Sequence, residues 1–485
     1  MTSIPSLTVS RISRPYGFLP DSLPDAQQRL EVLEESLQDD LEVVSYPART
    51  WNYSVDAEVL EVAIIGGGHT GKSAAFGLRR HGITGVCIFD RHPPGLEGPW
   101  RTYARNATLR TPKVVTGGLD WGIPNLHFRR WCEARYGKDY WLSVDYIPRL
   151  LWAEYLDWYG QVLDLPIQNQ VSITDITWDP DQQHFRLESH DRTYQARFVI
   201  LATGMESAGG RAVPPIVPAS LPPHVYCHTM DEIDFNALKH KRIAIIGCGA
   251  SAFDNAIAAL HAGAAQVDIL FRRKHIPNLN RIRWSEWNGY HRHYIDLPDH
   301  LKWFYSLEEA RLGQLPPPHT YAEALRYENL ALHADAPLQH LQFVNGEIIG
   351  QYGDRTFHHD FLICGTGFTT NLDQQEELRS LAPHIARWHH HYQPPVGEEN
   401  ADLANYPYLG KHLELTPLDA AHQYLRKCYY LSSGAALLSG FRANLSGLQF
   451  ALPRIAYDIG KQLFLEHQEE IKHSFMQYDT LEFAN

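Results

Sequence analysis

Two stretches of the chain repeat one pattern of apolar and polar positions. Each is a short β-branched run that enters a glycine-rich turn and continues into a helix of small residues. The first runs Glu61-Val-Ala-Ile-Ile into Gly66-Gly67-Gly68-His69-Thr70-Gly71, and the second Arg242-Ile-Ala-Ile-Ile into Gly247-Cys248-Gly249-Ala250-Ser251-Ala252. Both predicted helices stop at a glycine eleven residues beyond the turn, Gly82 and Gly263, where a left-handed C-cap suits glycine. A second apolar strand follows each time, ending at Asp90 in one copy and Phe271 in the other. The pattern therefore predicts two complete βαβ units.

The remaining periodicity fills in around them. Residues 1–57 form an N-terminal extension whose acids Glu31, Glu34, Glu35, Asp39 and Asp40 fall on an amphipathic helix, read as a packing element. A helix is expected from Tyr146 to Leu163 and a small meander of strands from Val171 to Ile200, ending in Ala202-Thr203-Gly204. The same ending recurs after the apolar run Asp360–Cys364, as Gly365-Thr366-Gly367. Such glycines let backbone pass close to a cofactor, and the second run is expected to return the chain to the first sheet. The fold class expected is α/β with two Rossmann-like dinucleotide-binding domains, one inserted into the other. Residues 58–225 and 355–485 make the first domain and 226–354 the second.

The turns carry specific chemistry. In a G-x-G-x-x-G/A turn the first glycine permits the bend, the second lets backbone N–H groups approach a pyrophosphate, and the third lets the helix pack closely on the strand. The positive end of the helix dipole then faces the phosphates. An isolated match is often an ordinary strand-to-helix turn; two copies with matched spacing argue against that. Asp90 lies nineteen residues after Gly71, where a carboxylate accepts hydrogen bonds from both ribose hydroxyls of an adenosine and repels a 2′-phosphate. The equivalent residue of the second unit is Phe271, followed by Arg272, Arg273 and Lys274, cations that suit the 2′-phosphate of NADP; the alternative is a solvated basic turn. Near the C-terminus, Tyr429-Tyr-Leu-Ser-Ser-Gly434 and Asn444-Leu-Ser446-Gly447 precede a helical pattern through Phe464. A helix opening there aims N–H groups at an anion, such as the N1/O2 edge of a reduced flavin, or is an ordinary capped end.

Composition narrows the partners. A chain of 485 residues, 44% hydrophobic, buries more than one core, and a formal charge of −13 disfavours nucleic acid and anionic lipid surfaces. There is no leader-like start and no apolar run of the ~18 residues a membrane span requires, so a cytoplasmic, non-spanning protein is expected. The six cysteines form no C-x-x-C pair, which argues against a zinc ribbon, a redox dithiol or a disulfide scaffold and makes them small buried hydrophobes.

In order, Gly66-x-Gly68-x-x-Gly71, Gly95-Leu-Glu-Gly98-Pro99-Trp100, Ala202-Thr203-Gly204, Gly247-x-Gly249-x-Ser251-Ala252 with Arg272, and Gly365-Thr366-Gly367-Phe368 resemble the class B flavin-dependent monooxygenases over about residues 59–465. That group includes the flavin-containing monooxygenases, the ornithine and lysine N-hydroxylases and the Baeyer–Villiger enzymes. The resemblance implies FAD on the first unit and NADPH on the second. It assigns Gly66, Gly68, Gly71 and Asp90 to FAD, Asp90 standing where the family usually has glutamate. Trp100 and Arg101 match the family's glycine–tryptophan loop near the flavin; a buried core tryptophan is the alternative. Thr108-Leu-Arg-Thr-Pro112-Lys113 falls where the family has a polar loop beside the isoalloxazine, making Lys113 an active-site candidate or else a solvated lysine. Asn280, in Ile276-Pro-Asn278-Leu-Asn280-Arg281, loosely matches the N-hydroxylases' substrate and nicotinamide asparagine, or is a turn residue.

The reaction so implied has NADPH reduce FAD, NADP⁺ stay in place, and O₂ add to the flavin as a C4a-hydroperoxide that passes one oxygen to a small substrate. The protein orients the cofactors and excludes water. No H-E-x-x-H, nucleophile elbow or P-loop is present, and no metal is expected. The Baeyer–Villiger fingerprint is incomplete: His228 sits in a linker whose sequence, Val225-Tyr-Cys-His228-Thr-Met-Asp-Glu-Ile, lacks the glycine and tryptophan. Oxygenation of nitrogen or sulfur on a small polar nucleophile is therefore the leading expectation. Aromatic or purine-ring hydroxylation, a reductase serving a protein partner, and a silent FAD-binding protein are the alternatives, and homo-oligomerisation is left open. His358, His359 and His389 to His391 are expected at the surface, because adjacent residues point in different directions. Asn288 to Tyr294 is either a polar pocket wall or a wet loop.

Overall fold

The computed structural model describes residues 19–51, 58–115, 118–205, 209–432 and 445–483. Helix α1 (Ala26–Val43) buries Leu33, Leu37 and Leu41, one residue per turn, against the first unit, as a packing element should. Strand β1 (Val59–Ile65), helix α2 (His69–Arg80) and strand β2 (Val86–Asp90) form the first βαβ unit, with β1 and β2 parallel. A two-stranded hairpin follows, β3 (Thr108–Pro112) with β4 (Tyr146–Pro148), leading into α3 (Arg149–Val162). The expected 146–163 helix thus begins three residues late, because its first residues pair as a strand.

Strands β5 (Ile167–Asn169), β6 (Ile173–Asp179), β7 (His184–Ser189) and β8 (Thr193–Leu201) complete the first sheet together with β17 (Cys428–Tyr430). The long β8 pairs parallel with β1 along one edge and shares its other edge between two strands: its first half pairs antiparallel with β7, and its second half pairs parallel with β17. Alternate residues of β1 feed two cores, as a sheet covered on both faces requires. Val62 and Ile64 face the helices with Phe76, Trp152 and Tyr155, while Ala63 and Ile65 face Leu372, Leu378 and Leu415.

The second unit is a parallel sheet in the order β12-β11-β10-β16-β9, made of β9 (Tyr226–His228), β10 (Arg242–Ile246), β11 (Gln266–Leu270), β12 (Leu330–His333) and β16 (Phe361–Cys364). Helix α4 (Ala250–His261) covers one face, and the antiparallel meander β13 (His340–Val344), β14 (Glu347–Tyr352) and β15 (Arg355–His359) covers the other. Here one expectation needs correcting. The apolar run at 360–364 does not return to the first sheet: β16 pairs with β10 and β9, so the second unit runs to residue 364 rather than 354. A short, fully apolar strand fits either parallel sheet, and only the register chooses. The return to the first sheet is made by β17. Helix α5 (Leu445–Glu466) then packs on α2, burying Leu448, Leu452, Ile455 and Ile459. Among the described residues no helix is long and apolar enough to cross a membrane.

Candidate active site

The two glycine-rich turns are built alike. Gly66 has φ +108° and Gly247 φ +112°, and each lies hard against the strand beside it. A side chain on Gly66 would meet the Ala202 carbonyl oxygen at 2.4 Å, and one on Gly247 would meet that of Gly365 at 2.3 Å. Only glycine supplies both the left-handed backbone and the missing Cβ. The two strand endings noticed in the sequence therefore do the same job in different units, Ala202-Thr203-Gly204 behind the first turn and Gly365-Thr366-Gly367 behind the second. Gly249 and Ser251 stand at the start of α4, as Gly68 stands before α2. Neither helix has a side-chain cap or an acid in its first turn, so the leading N–H groups are left to an anion.

Asp90 is buried at the end of β2 and reaches back to the turn. Its Oδ2 accepts from the Gly67 N–H at 2.7 Å and its Oδ1 from the His92 N–H at 2.8 Å. Burial pushes the carboxyl up, but the hydrogen bonds from His92 and Gly67 outweigh it and hold Asp90 below the ordinary carboxylate range. It is thus an anion that shapes the turn, with lone pairs remaining for ribose hydroxyls. Under the same turn lies an ion pair that sequence reasoning missed. Lys72 Nζ stands 3.7 Å from Glu97 Oε2, the two side chains only 4% and 6% exposed, and Asn169 and the Gly95 N–H also bind Glu97.

Trp100 is half-buried, 6.1 Å from the ring of His69, and its buried Nε1 has no hydrogen-bond partner among the described residues. Burial pushes the His69 imidazole down to about 4, so it is neutral near pH 7. Arg101 is paired with Asp157 at 2.6 Å and donates to the Gly95 carbonyl. Thr203 Oγ1 shares a hydrogen bond of 2.8 Å with Ser432. Ser446 opens α5 with Gly447, and its buried Oγ has no partner among the described residues; Gly434 and Asn444 lie outside them. Two unsatisfied buried polar atoms, Trp100 Nε1 and Ser446 Oγ, and a side-chain-free cradle at Gly66 and Gly68 fit an extended dinucleotide carrying its own donors and acceptors.

On the second unit, Arg272 is exposed beyond β11 and makes no hydrogen bond or ion pair with a described residue. Arg273 donates to the Arg311 carbonyl at 3.0 Å and packs under Gly313. The catalytic candidates are engaged elsewhere. Lys113 donates to the Trp141 carbonyl at 2.5 Å and sits 4.7 Å above that indole, its ammonium pushed down by burial. Asn280 is exposed, and its Oδ1 accepts from the Arg283 N–H at 3.1 Å, holding a short helical turn.

The β3–β4 hairpin joins the two units. Arg110 Nη2 bonds Asp254 Oδ2 of α4 at 2.8 Å, and Thr108 Oγ1 bonds His319 Nε2 at 3.3 Å, with the Tyr146 ring 4.9 Å from that imidazole. Nothing local in the sequence announces these pairs; they join residues far apart in the chain.

Three expectations about polar residues are settled by packing. His389, His390 and His391 are exposed as expected, and no described cluster is suited to a metal. His359, expected at the surface, is buried: its Nε2 lies 2.6 Å from Asp268 Oδ2, and His333 holds the other oxygen at 2.7 Å. Pairing across the sheet turns the β15 end inward, which single-chain periodicity does not show. Residues 288–293 form a short helix with His291 buried and stacked on Phe450 of α5, rather than a wet loop. A cavity of about 690 Å³ opens between Trp178, Ser380, Tyr424 and Lys427, but no glycine-rich turn lines it, so it lies apart from this chemistry.

Two sheets of this order, each with a bare glycine turn at a helix N-terminus, define an α/β oxidoreductase that brings two nucleotide cofactors together. Comparison with known proteins agrees. The pyridine nucleotide-disulphide oxidoreductase family profile matches residues 63–287. The chain is 38% identical over 465 residues to the FAD-dependent urate hydroxylase of Xanthomonas campestris pv. campestris, covering 94% of this chain and 97% of that one. Among solved structures, ornithine hydroxylase from Pseudomonas aeruginosa is similar with a TM-score of 0.66 at 15% identity, over 84% of this chain and 100% of that one. A flavin-containing monooxygenase from Stenotrophomonas maltophilia is similar with a TM-score of 0.56 at 17% identity, over 84% and 99%. At those identities the solved structures speak for the fold. The chain belongs to the family of that FAD-dependent urate hydroxylase.

Proposed function

We propose that the protein is a FAD- and NADPH-dependent hydroxylase that places one oxygen atom of O₂ on a small, electron-rich heterocycle of the purine type. The observation that carries this is the near-complete alignment with a urate hydroxylase, which spans both nucleotide turns and the segments joining them. When bound, the cofactors supply the redox chemistry: NADPH reduces the flavin, and the reduced flavin activates O₂, the second oxygen atom leaving as water.

The chain's own residues bind and orient. Gly66, Gly68, Gly71 and Asp90 hold FAD, with Trp100, Thr203, Gly204, Ser446 and Gly447 along its length. Gly247, Gly249, Ser251 and Arg272 hold NADPH, with Gly365, Thr366 and Gly367 behind the turn. Where the units join, Thr108 meets His319 beside the Tyr146 ring, and Arg110 pairs with the Asp254 carboxylate. Aromatic and neutral hydrogen-bonding groups, with Arg110 already paired to Asp254, suit a planar heterocycle better than an ammonium substrate. N-hydroxylation of an amine, the expectation drawn from the motifs, is the competing reading.

Both are tested by mixing the FAD-loaded enzyme with NADPH, ¹⁸O₂ and either urate or an amine such as ornithine or lysine. A urate-derived product carrying one ¹⁸O supports the proposal. An oxygenated amine, or NADPH consumption that stays independent of every substrate, overturns it.

A further inference from the structure

Asp254 occupies an unusual place. It lies on α4, a turn beyond the second glycine-rich turn, its side chain only 4% exposed, yet its partner Arg110 comes from β3 of the other unit at 2.8 Å. A second cation acts on the same carboxylate: Arg149, first residue of α3, lowers the Asp254 pKa electrostatically while donating a hydrogen bond to the backbone carbonyl of Trp100. Burial remains the largest influence and pushes the Asp254 carboxyl up, with Arg110 and Arg149 opposing it. The Arg110–Asp254 ion pair thus joins β3 to the helix that follows the second turn, and Arg149, bonded to the Trp100 loop beside the first turn, acts on the same carboxylate through space. The same hairpin is tied at its flank by Thr108 and His319, and Arg105 donates to the Asp231 carbonyl at 2.7 Å.

A buried ion pair between two units is a poor source of stability compared with apolar packing of the same volume, but its geometry is demanding, and breaking one side is costly. Such a pair is suited to setting an angle. We infer that Arg110 and Asp254 are positioning residues that hold the two nucleotide-binding turns at the separation and angle needed for a nicotinamide on the second to face a flavin on the first. This rests on the cofactor reading above. Transfer between the rings needs the reacting atoms about 3–3.5 Å apart, and a misplacement of ~1 Å costs about a hundredfold.

The test compares wild type, Arg110→Lys, Arg110→Gln and the double variant Arg110→Gln/Asp254→Asn, which removes both charges so that neither is left buried alone. Three quantities are read: FAD content, the Kd for NADP⁺, and the limiting rate of anaerobic flavin reduction by NADPH. A fourth reading needs no cofactor. Spin labels at Asp191→Cys and Gln342→Cys, exposed sites on the first and second units, report the distance distribution between units by electron–electron resonance; the native cysteines are buried.

In the double variant, FAD content and NADP⁺ affinity are expected within about twofold of wild type, the limiting reduction rate tenfold to a hundredfold lower, and the distance distribution broader. Arg110→Lys is expected to recover part of the rate. A limiting rate within twofold of wild type, an unchanged distance distribution, or a loss confined to NADP⁺ affinity or FAD retention overturns the inference. If wild type itself is not reduced by NADPH, the functional reading fails, while the distance measurement still decides whether the pair sets the angle.

Discussion

Replacing Arg272 by alanine tests how the second unit reads its nucleotide. The structure leaves this guanidinium exposed at the end of β11 with no described partner, so its loss removes no internal contact and fold stability should hold. The neighbouring Arg273 is tied to the Arg311 carbonyl and packed under Gly313, so it is not free to substitute. One charge-assisted hydrogen bond to a 2′-phosphate is worth about 1.5–3 kcal/mol, which corresponds to roughly tenfold to a hundredfold in affinity. Exposure places the effect toward the lower end, and added salt should shrink it further. Titrating Arg272→Ala with NADP⁺ and with NAD⁺, followed through the flavin spectrum or by calorimetry, separates the two ligands. NADP⁺ affinity should fall by about tenfold or more and NAD⁺ affinity should hardly change. Equal losses for both would refute the assignment of the phosphate to Arg272.

Further expectations concern the turns and the buried charges. Lys72→Met leaves Glu97 buried without its cation and should cost about 3 kcal/mol in urea unfolding, the low end for a broken buried pair, because Asn169 and the Gly95 N–H still hold Glu97; Lys72→Met/Glu97→Gln should regain most of it. Gly71→Ala drives a Cβ to 1.9 Å from the Gly66 carbonyl oxygen, so the purified variant should lose most of its bound FAD, read from its visible absorbance. Asp268 has its carboxyl held well below the ordinary carboxylate range; burial opposes this, and hydrogen bonds from His333 and His359 outweigh it. A depressed folded-state pKa gives stability that is present above the ordinary carboxylate range and lost as pH falls through the folded-state value. Asp268→Asn should therefore cost stability at neutral pH and flatten its decline under acid, measured by denaturant midpoints across pH 7 to about 3.

Much of the architecture is carried by short-range pattern. A β-branched run, a glycine turn and a small-residue helix cannot pack without a parallel neighbour, and both copies formed the unit their spacing required. The placement of Asp90 at one strand end and of Arg272 just beyond another was legible because a strand end sets where the next side chain emerges. The partners of the candidates Lys113, Asn280 and Arg101 were not, since long polar side chains go to whichever partner folding brings near, here Trp141, Arg283 and Asp157.

What the chain's order of residues determines alone is the pair of nucleotide turns, their glycines and the differing charge beyond each second strand, because backbone sterics and helix dipoles act within a few residues. Tertiary structure decides the rest. Register sent β16 to the second sheet and β17 to the first, packing buried His359 against Asp268, and the hairpin brought Arg110 to Asp254. Those outcomes depend on contacts between residues tens to hundreds of positions apart, whose free energy exists only once both units are assembled.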